Sequence, residues 1–229
     1  MGGRGASSGL GGSGSKESQQ KHFKDRNILI GDSFYKDSVD SRLRSEYLEG
    51  LDEISKDFDM FKVSELSVEV GRTDHGIVGY STTKGKLVVG EDAINGRIPY
   101  SKGNGSLSWH SAHEYAHQIQ DRIIERAAIR GEYKDAHRAF SDRRNGTVTI
   151  KKILLDANAK ANKIEGVKKS VYDRLQGISS YANPKNKWAH SNWREAHSEA
   201  MGKYIQGHKS GSDVFGRLVY EGTLNKYRE

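Results

Sequence analysis

Two histidines four residues apart, His113 and His117, with Glu114 between them, constrain this chain more than any other feature of its sequence. On an α-helix the fourth residue along lies about 40° further round the axis and one turn up, so both imidazoles leave the same face and can reach one ion. Glu114 then projects to the side, where a carboxylate can hold and deprotonate a water instead of joining the metal. Two donors leave a catalytic ion under-coordinated, because such sites usually supply three protein ligands and keep a position open. A metal reading therefore obliges the fold to deliver another donor from elsewhere in the chain. The alternative is an ordinary amphipathic helix that carries two histidines.

Neighbouring residues predict where that helix lies. Ser106 and Ser108 are candidate N-caps after a loop of Gly103, Asn104 and Gly105, and Gly131 is a candidate stop. Trp109, Ala112, Ala116, Ile119, Ile123 and Ala127 recur at helical spacing, which puts His113 and His117 at the edge of the apolar stripe of a half-buried helix. Upstream, Leu43, Tyr47, Leu48, Leu51, Ile54 and Phe58 predict an amphipathic helix over about 41–58. Val63 to Val70 alternates imperfectly, and Ile77 to Tyr80 with Lys86 to Val89 flank a turn at Thr83, Lys84 and Gly85, which predicts a hairpin. The expected fold class is α+β, a small antiparallel sheet packed on a mainly helical domain. Downstream, a helix is expected around Asp135 to Ser141, a turn at Asn145 and Gly146, and one long Lys-rich helix from about Thr149 to Gln176. After a loop at Asn183 and Pro184, a last long helix begins near Trp193, capped by Ser191 or Asn192, and Gly207 closes it.

Residues 1–22 read as a Gly/Ser-rich tail or linker with too little apolar surface to offset ordering, and residues 23–229 as one domain. Such a segment suits either an expression scar or the junction with a larger protein upstream. No apolar run approaches the roughly 20 residues that span a bilayer, so no membrane partner is expected, and a cytoplasmic or virion-associated location is. The chain has no cysteine, which excludes disulfides and thiolate ligands and leaves His, Asp and Glu to build any Zn2+ site. Net charge is +7, and from Ile119 to Ser179 there are 14 Lys and Arg against 8 Asp and Glu. This basic helical insertion, at about 119–176, is expected to be a solvated surface, with nucleic acid, an acidic protein or an acidic substrate as the alternative partner.

His110 is a poor third donor, because it lies roughly 10 Å along the helix from His117 while a Zn–N bond is only about 2 Å long. The helix after Trp193 offers Glu195 and Glu199 on one face, with His197 on nearly the opposite one as a packed or hydrogen-bonded residue. Trp193, Ala196, His197, Ala200 and Tyr204 form its apolar side, so a metal role for the glutamates requires cover on both sides, with Gly202 allowing close approach to the metal helix.

The order His113, Glu114, Tyr115, Ala116, His117, then Ser180, Tyr181, Ala182, then Glu195 to Glu199 resembles the gluzincin peptidases of the anthrax-lethal-factor type, a kind of domain also found in phage head-morphogenesis proteins. The likeness covers about Ser41 to Gln206, with Val78 to Ile94 similar to the strand before the metal helix. Tyr181 stands 14 residues before Glu195, a longer spacing than the family pattern, and His197 occupies a usually aromatic position. The resemblance implies a zincin-like fold in which His113, His117 and Glu195 bind Zn2+. It further implies Glu114 as general base, Glu199 as support for a metal-bound histidine, and Tyr181 as stabiliser of the reacting carbonyl. The expected activity is zinc-dependent cleavage of a protein or peptide. Competing expectations are a virion structural module with a non-catalytic metal site and a basic nucleic-acid-binding module.

Overall fold

The computed structural model describes residues 14–58, 65–74, 78–82, 85–97, 106–179, 182 and 192–229. Helix α1 (Lys16–Lys24) starts at Ser15, whose side chain accepts from the Ser18 amide, and it buries Gln19 and Phe23. Residues 16–22, placed in the tail by the sequence, are therefore helical, because Phe23 at the end of α1 gives that turn something to bury. Asn27, at a left-handed φ of 56°, turns the chain into strand β1 (Ile28–Ile30). Asp40 caps helix α2 (Ser41–Ser55), accepting from the Leu43 amide at 2.9 Å, and α2 buries Leu43, Tyr47, Leu48, Leu51 and Ile54 as its periodicity requires. Strands β2 (Leu66–Gly71), β3 (Gly79–Thr82) and β4 (Lys86–Gly90) follow.

The sheet order is β1-β2-β4-β3. Only the expected β3–β4 hairpin is antiparallel, whereas β1 with β2 and β2 with β4 run parallel. The antiparallel expectation is thus corrected to a mixed sheet. A three-residue β1 gives almost no periodic signal, yet the α2 crossover from β1 returns the chain in the same direction. Leu87, Val88 and Val89 in β4 are all buried, the continuous apolar run of a strand covered on both faces.

After a short α3 (Glu91–Ile94), helix α4 (Leu107–Ile129) carries the paired histidines. Ser106 caps it as predicted, and Gly131, at φ 71°, follows its end. Between Ser111 and Gln120 nearly every side chain is buried, so α4 is a central helix and not the half-buried one expected. Helices α5 (Ala136–Asn145), α6 (Thr149–Glu165) and α7 (Val171–Gln176) come next. The single helix expected over 149–176 is split, because Gly166 ends α6 at φ 67° and Ser170 with Asp173 forms a capping box that starts α7. Residues 119–176 are also built into the core, not appended to it: Ile119, Ile123, Ile150, Leu154, Ala157 and Leu175 all belong to one buried cluster. Helix α8 (Trp193–Gln206) begins at Asn192 and ends at Gly207, as predicted. It is not the last, since α9 (Val214–Arg228) follows, capped by Asp213 and burying Phe215, Val219, Tyr220 and Tyr227. Among the described residues no helix is long and apolar enough to cross a membrane.

Two glycines set the spacing around α4. A Cβ on Gly50 of α2 would lie 2.1 Å from the Ser108 carbonyl oxygen, and one on Gly202 of α8 would lie 2.4 Å from Trp109 Cδ1 and 2.8 Å from the Trp109 carbonyl oxygen. Both neighbours are partly backbone and cannot rotate away. The Gly202→Ala variant is expected to lose about 1–3 kcal/mol of stability through forced separation of α4 and α8, read as a lower urea midpoint at unchanged m-value.

Candidate metal centre

Glu195 lies in the first turn of α8, where Asn192 Oδ1 accepts from the Arg194 and Glu195 amides and the helix N-terminus favours negative charge. Its carboxylate sits astride the two imidazoles of α4. Oε2 is 3.3 Å from His113 Nε2, and Oε1 is 3.5 Å from His117 Nε2. The donor atoms of His113, His117 and Glu195 all fall within 4.8 Å of one another, so this group can hold a metal ion. The two imidazole planes are 81° apart, with centroids separated by 5.0 Å.

These separations are informative. A charge-assisted N–H···O contact closes to about 2.7–2.9 Å, whereas donors bound about 2.0–2.1 Å from one tetrahedral ion stand about 3.3 Å apart. The observed 3.3 and 3.5 Å, one to each carboxylate oxygen, leave room for an ion held between the three side chains. The donor set is two nitrogens and a carboxylate with no sulfur, which several divalent metals accept.

The outer nitrogens of both rings are held. His113 Nδ1 is 3.3 Å from Glu199 Oε1, and Glu199 Oε2 accepts from the Ser179 hydroxyl at 3.1 Å. Glu199 thus lies against the far side of a candidate ligand. His117 Nδ1 lies 3.1 Å from Gln120 Oε1, a partner the sequence reading missed. Its tautomer follows from a chain of donors that starts in α9. The Thr223 hydroxyl donates to the Val219 carbonyl at 2.6 Å, so at 2.8 Å it accepts from His197 Nε2–H. His197 Nδ1 is then the acceptor for Gln120 Nε2 at 2.9 Å, which leaves Gln120 Oε1 to accept from His117 Nδ1–H. His117 Nε2 is left with its lone pair facing Glu195. His197 is therefore a buried hydrogen-bonded residue, as expected, and burial pulls its pKa down to about 3.

Arg194 closes the same network. Its Nε donates to Gln120 Oε1 at 2.9 Å, its guanidinium donates to the His117 carbonyl at 3.2 Å and pairs with Asp121 at 2.7 Å, and it also binds the Arg143 carbonyl. Gln120 was legible in principle, because it lies one turn past His117 on the same helical face.

Burial pushes the Glu195 carboxyl up, but the positive charge that His117 and His113 carry when protonated more than reverses this and holds it well below the usual carboxylate range. Burial likewise opposes a charge on His113, yet Glu195 and Glu199 raise its pKa well above the ordinary value. Glu114 is buried and outside the converging donor set, with Oε1 3.9 Å from His110 Nε2. His110 contributes no donor to the group, in line with the sequence argument. Tyr181 lies outside the described residues. Ser179, two positions earlier, donates to Glu199, and the Ala182 amide donates back to Ser179 Oγ at 2.9 Å.

Comparison with protein-family models, curated proteins and solved structures finds no match to this chain. The chemistry of the site accordingly rests on its own geometry.

Replacing Gln120 by Met would keep all three donors while removing the nearer partner of His117 Nδ1 and leaving only Ser198 Oγ at 3.3 Å. Metal affinity is expected to fall about 10- to 100-fold, measured by competition with a chromophoric chelator. In the wild type, long-range 1H–15N spectra are expected to show His117 protonated at Nδ1 and His197 at Nε2.

Proposed function

We propose that this chain is a zinc-dependent hydrolase of peptide bonds, of the gluzincin kind that its motifs resemble. The observation that carries this reading is the convergence of His113 Nε2, His117 Nε2 and both Glu195 oxygens at ligand-to-ligand spacing, next to a buried carboxylate one residue from a candidate ligand. His113, His117 and Glu195 hold the metal, and Glu199 fixes the His113 ring through Nδ1. The ion, when bound, supplies the Lewis-acid charge that brings the pKa of water to about 7 in zinc enzymes. Glu114 is the general base, accepting the proton of the attacking water and later passing it to the leaving amine nitrogen. Tyr181, by the same resemblance, donates a hydrogen bond to the developing oxyanion, a role worth roughly 3 kcal/mol where comparable donors have been removed. A purely structural site has no use for a base at position 114, which favours hydrolysis over a fold brace.

The test is zinc content after reconstitution, followed by cleavage of a peptide library. Wild type is expected to bind about one equivalent. Glu195→Ala should lose most of it, whereas Glu114→Gln should keep zinc and lose cleavage. A wild-type protein that holds no zinc above background after reconstitution overturns the proposal.

A further inference from the structure

Helix α5 touches the rest of the molecule along one side only. His137, Arg138, Phe140, Arg143 and Arg144 are all exposed, and Phe140 keeps 64% of its surface in water. At 100° per residue, Phe140 lies between Arg143 on one side and Arg144 and His137 on the other, within a face of about 120°. Among the described residues no carboxylate pairs with the three basic side chains of this face, His137, Arg143 and Arg144, nor with Arg138 on the other side of the helix. The acids of the same stretch are committed elsewhere. Asp135 caps α5 by accepting from the Arg138 amide, Asp142 is buried and accepts from the Val148 and Thr149 amides and the Tyr133 hydroxyl, and Glu132 pairs with Arg130 and Lys226. The face is therefore uncompensated positive charge around one bare aromatic ring.

We infer that this face of α5 binds single-stranded nucleic acid, with a base stacked on Phe140 and phosphates held by Arg143 and Arg144. Both halves of the face are used by that ligand: every base offers a π-face to the ring, and guanidinium groups match phosphate in fork geometry. An acidic peptide would satisfy the arginines and leave the ring without a partner. A bilayer surface needs a broad apolar face, and α5 presents one large apolar side chain. The surface is independent of the metal proposal, since α5 supplies no donor to the His113, His117 and Glu195 group. The Arg143 carbonyl nevertheless binds Arg194, beside Gln120 and the His117 carbonyl, so the strand would lie close to the metal centre.

The experiment is fluorescence anisotropy of a labelled oligothymidylate of about 12 nucleotides, with intact protein across a salt series. Wild type is expected to bind at about 50 mM salt, with or without metal. Phe140→Ala should lower affinity about 5- to 100-fold at an unchanged salt slope, and the Arg143→Ala, Arg144→Ala double variant should reduce the slope by about 1.4. In Phe140→Trp, the added fluorescence should be quenched by the oligonucleotide, which reports contact directly even if the alanine variants lose structure. Absent binding by wild type at low salt, an unchanged affinity for Phe140→Ala, or no quenching of the added tryptophan would each overturn the inference. So would polyglutamate or phosphatidylserine vesicles competing as well as the oligonucleotide does.

Discussion

The close packing of α8 against α4 is the contact on which the candidate site depends. Its donors come from two helices whose sequences are some 80 positions apart, so no local turn or loop sets their spacing. Helix axes usually stand about 8–10 Å apart, the distance being set by the side chains at the crossing. Here one of those side chains is missing, because Gly202 lies against Trp109 without room for a Cβ. Little more than a quarter-turn round α4, Gly50 does the same for α2 against Ser108, so two helices approach α4 closely at its first turn. A glutamate reaches only a few bonds from its backbone. Bringing the Glu195 oxygens to 3.3 and 3.5 Å from two imidazoles therefore requires the backbones to be close first.

Charge in the resulting pocket explains why such closeness has a use. Glu114, Glu195 and Glu199 are gathered with His113 and His117 in a largely buried space, and burying carboxylates away from water is costly unless something balances them. The Asn192 cap and the N-terminus of α8 offset part of this at Glu195, and the Ser179 hydroxyl part of it at Glu199. The raised proton affinity of His113 points the same way, since the carboxylates around the buried ring favour positive charge there. A divalent cation answers the same demand while letting both rings keep lone pairs directed inward.

How far the sequence foretold this depends on whether a feature is local. The α4 caps, the paired histidines, the α2 stripe, the hairpin and the boundaries of α8 follow from spacing within one element, and all were legible. The sheet was not, since β1 is too short to show a period and its parallel pairing is set by the path of α2. The break at Gly166 was legible as a helix stop, but the apolar rhythm carries on across it in Ala157, Ala161 and Val171. Helix α9 was also written in the sequence, in Phe215, Val219, Tyr220 and Tyr227, and stopping at Gly207 missed it. The hardest case was Glu195 and Glu199, which lie on the polar side of α8 and read as solvated. They are polar and covered together because that side faces α4. A helical wheel reports polarity, while burial depends on what the wheel is set against.

The missing α9 matters beyond the element count, because the tautomer of a candidate ligand is fixed there. The Val219 carbonyl takes the Thr223 proton, which orients His197, which orients the Gln120 amide, which assigns the proton on His117 to Nδ1. Each link has one allowed direction once the one before it is set. Arg194 ties the chain to the helix that supplies Glu195, so the ligand carboxylate and the tautomer of the imidazole opposite it are controlled by the same buried amide. A fragment ending at Gly207 would retain His113, His117 and Glu195 but lose Thr223, and with it the reason for His197 to present an acceptor to Gln120. The candidate centre is thus a property of three helices, two that carry its donors and a third that decides where one of its protons sits.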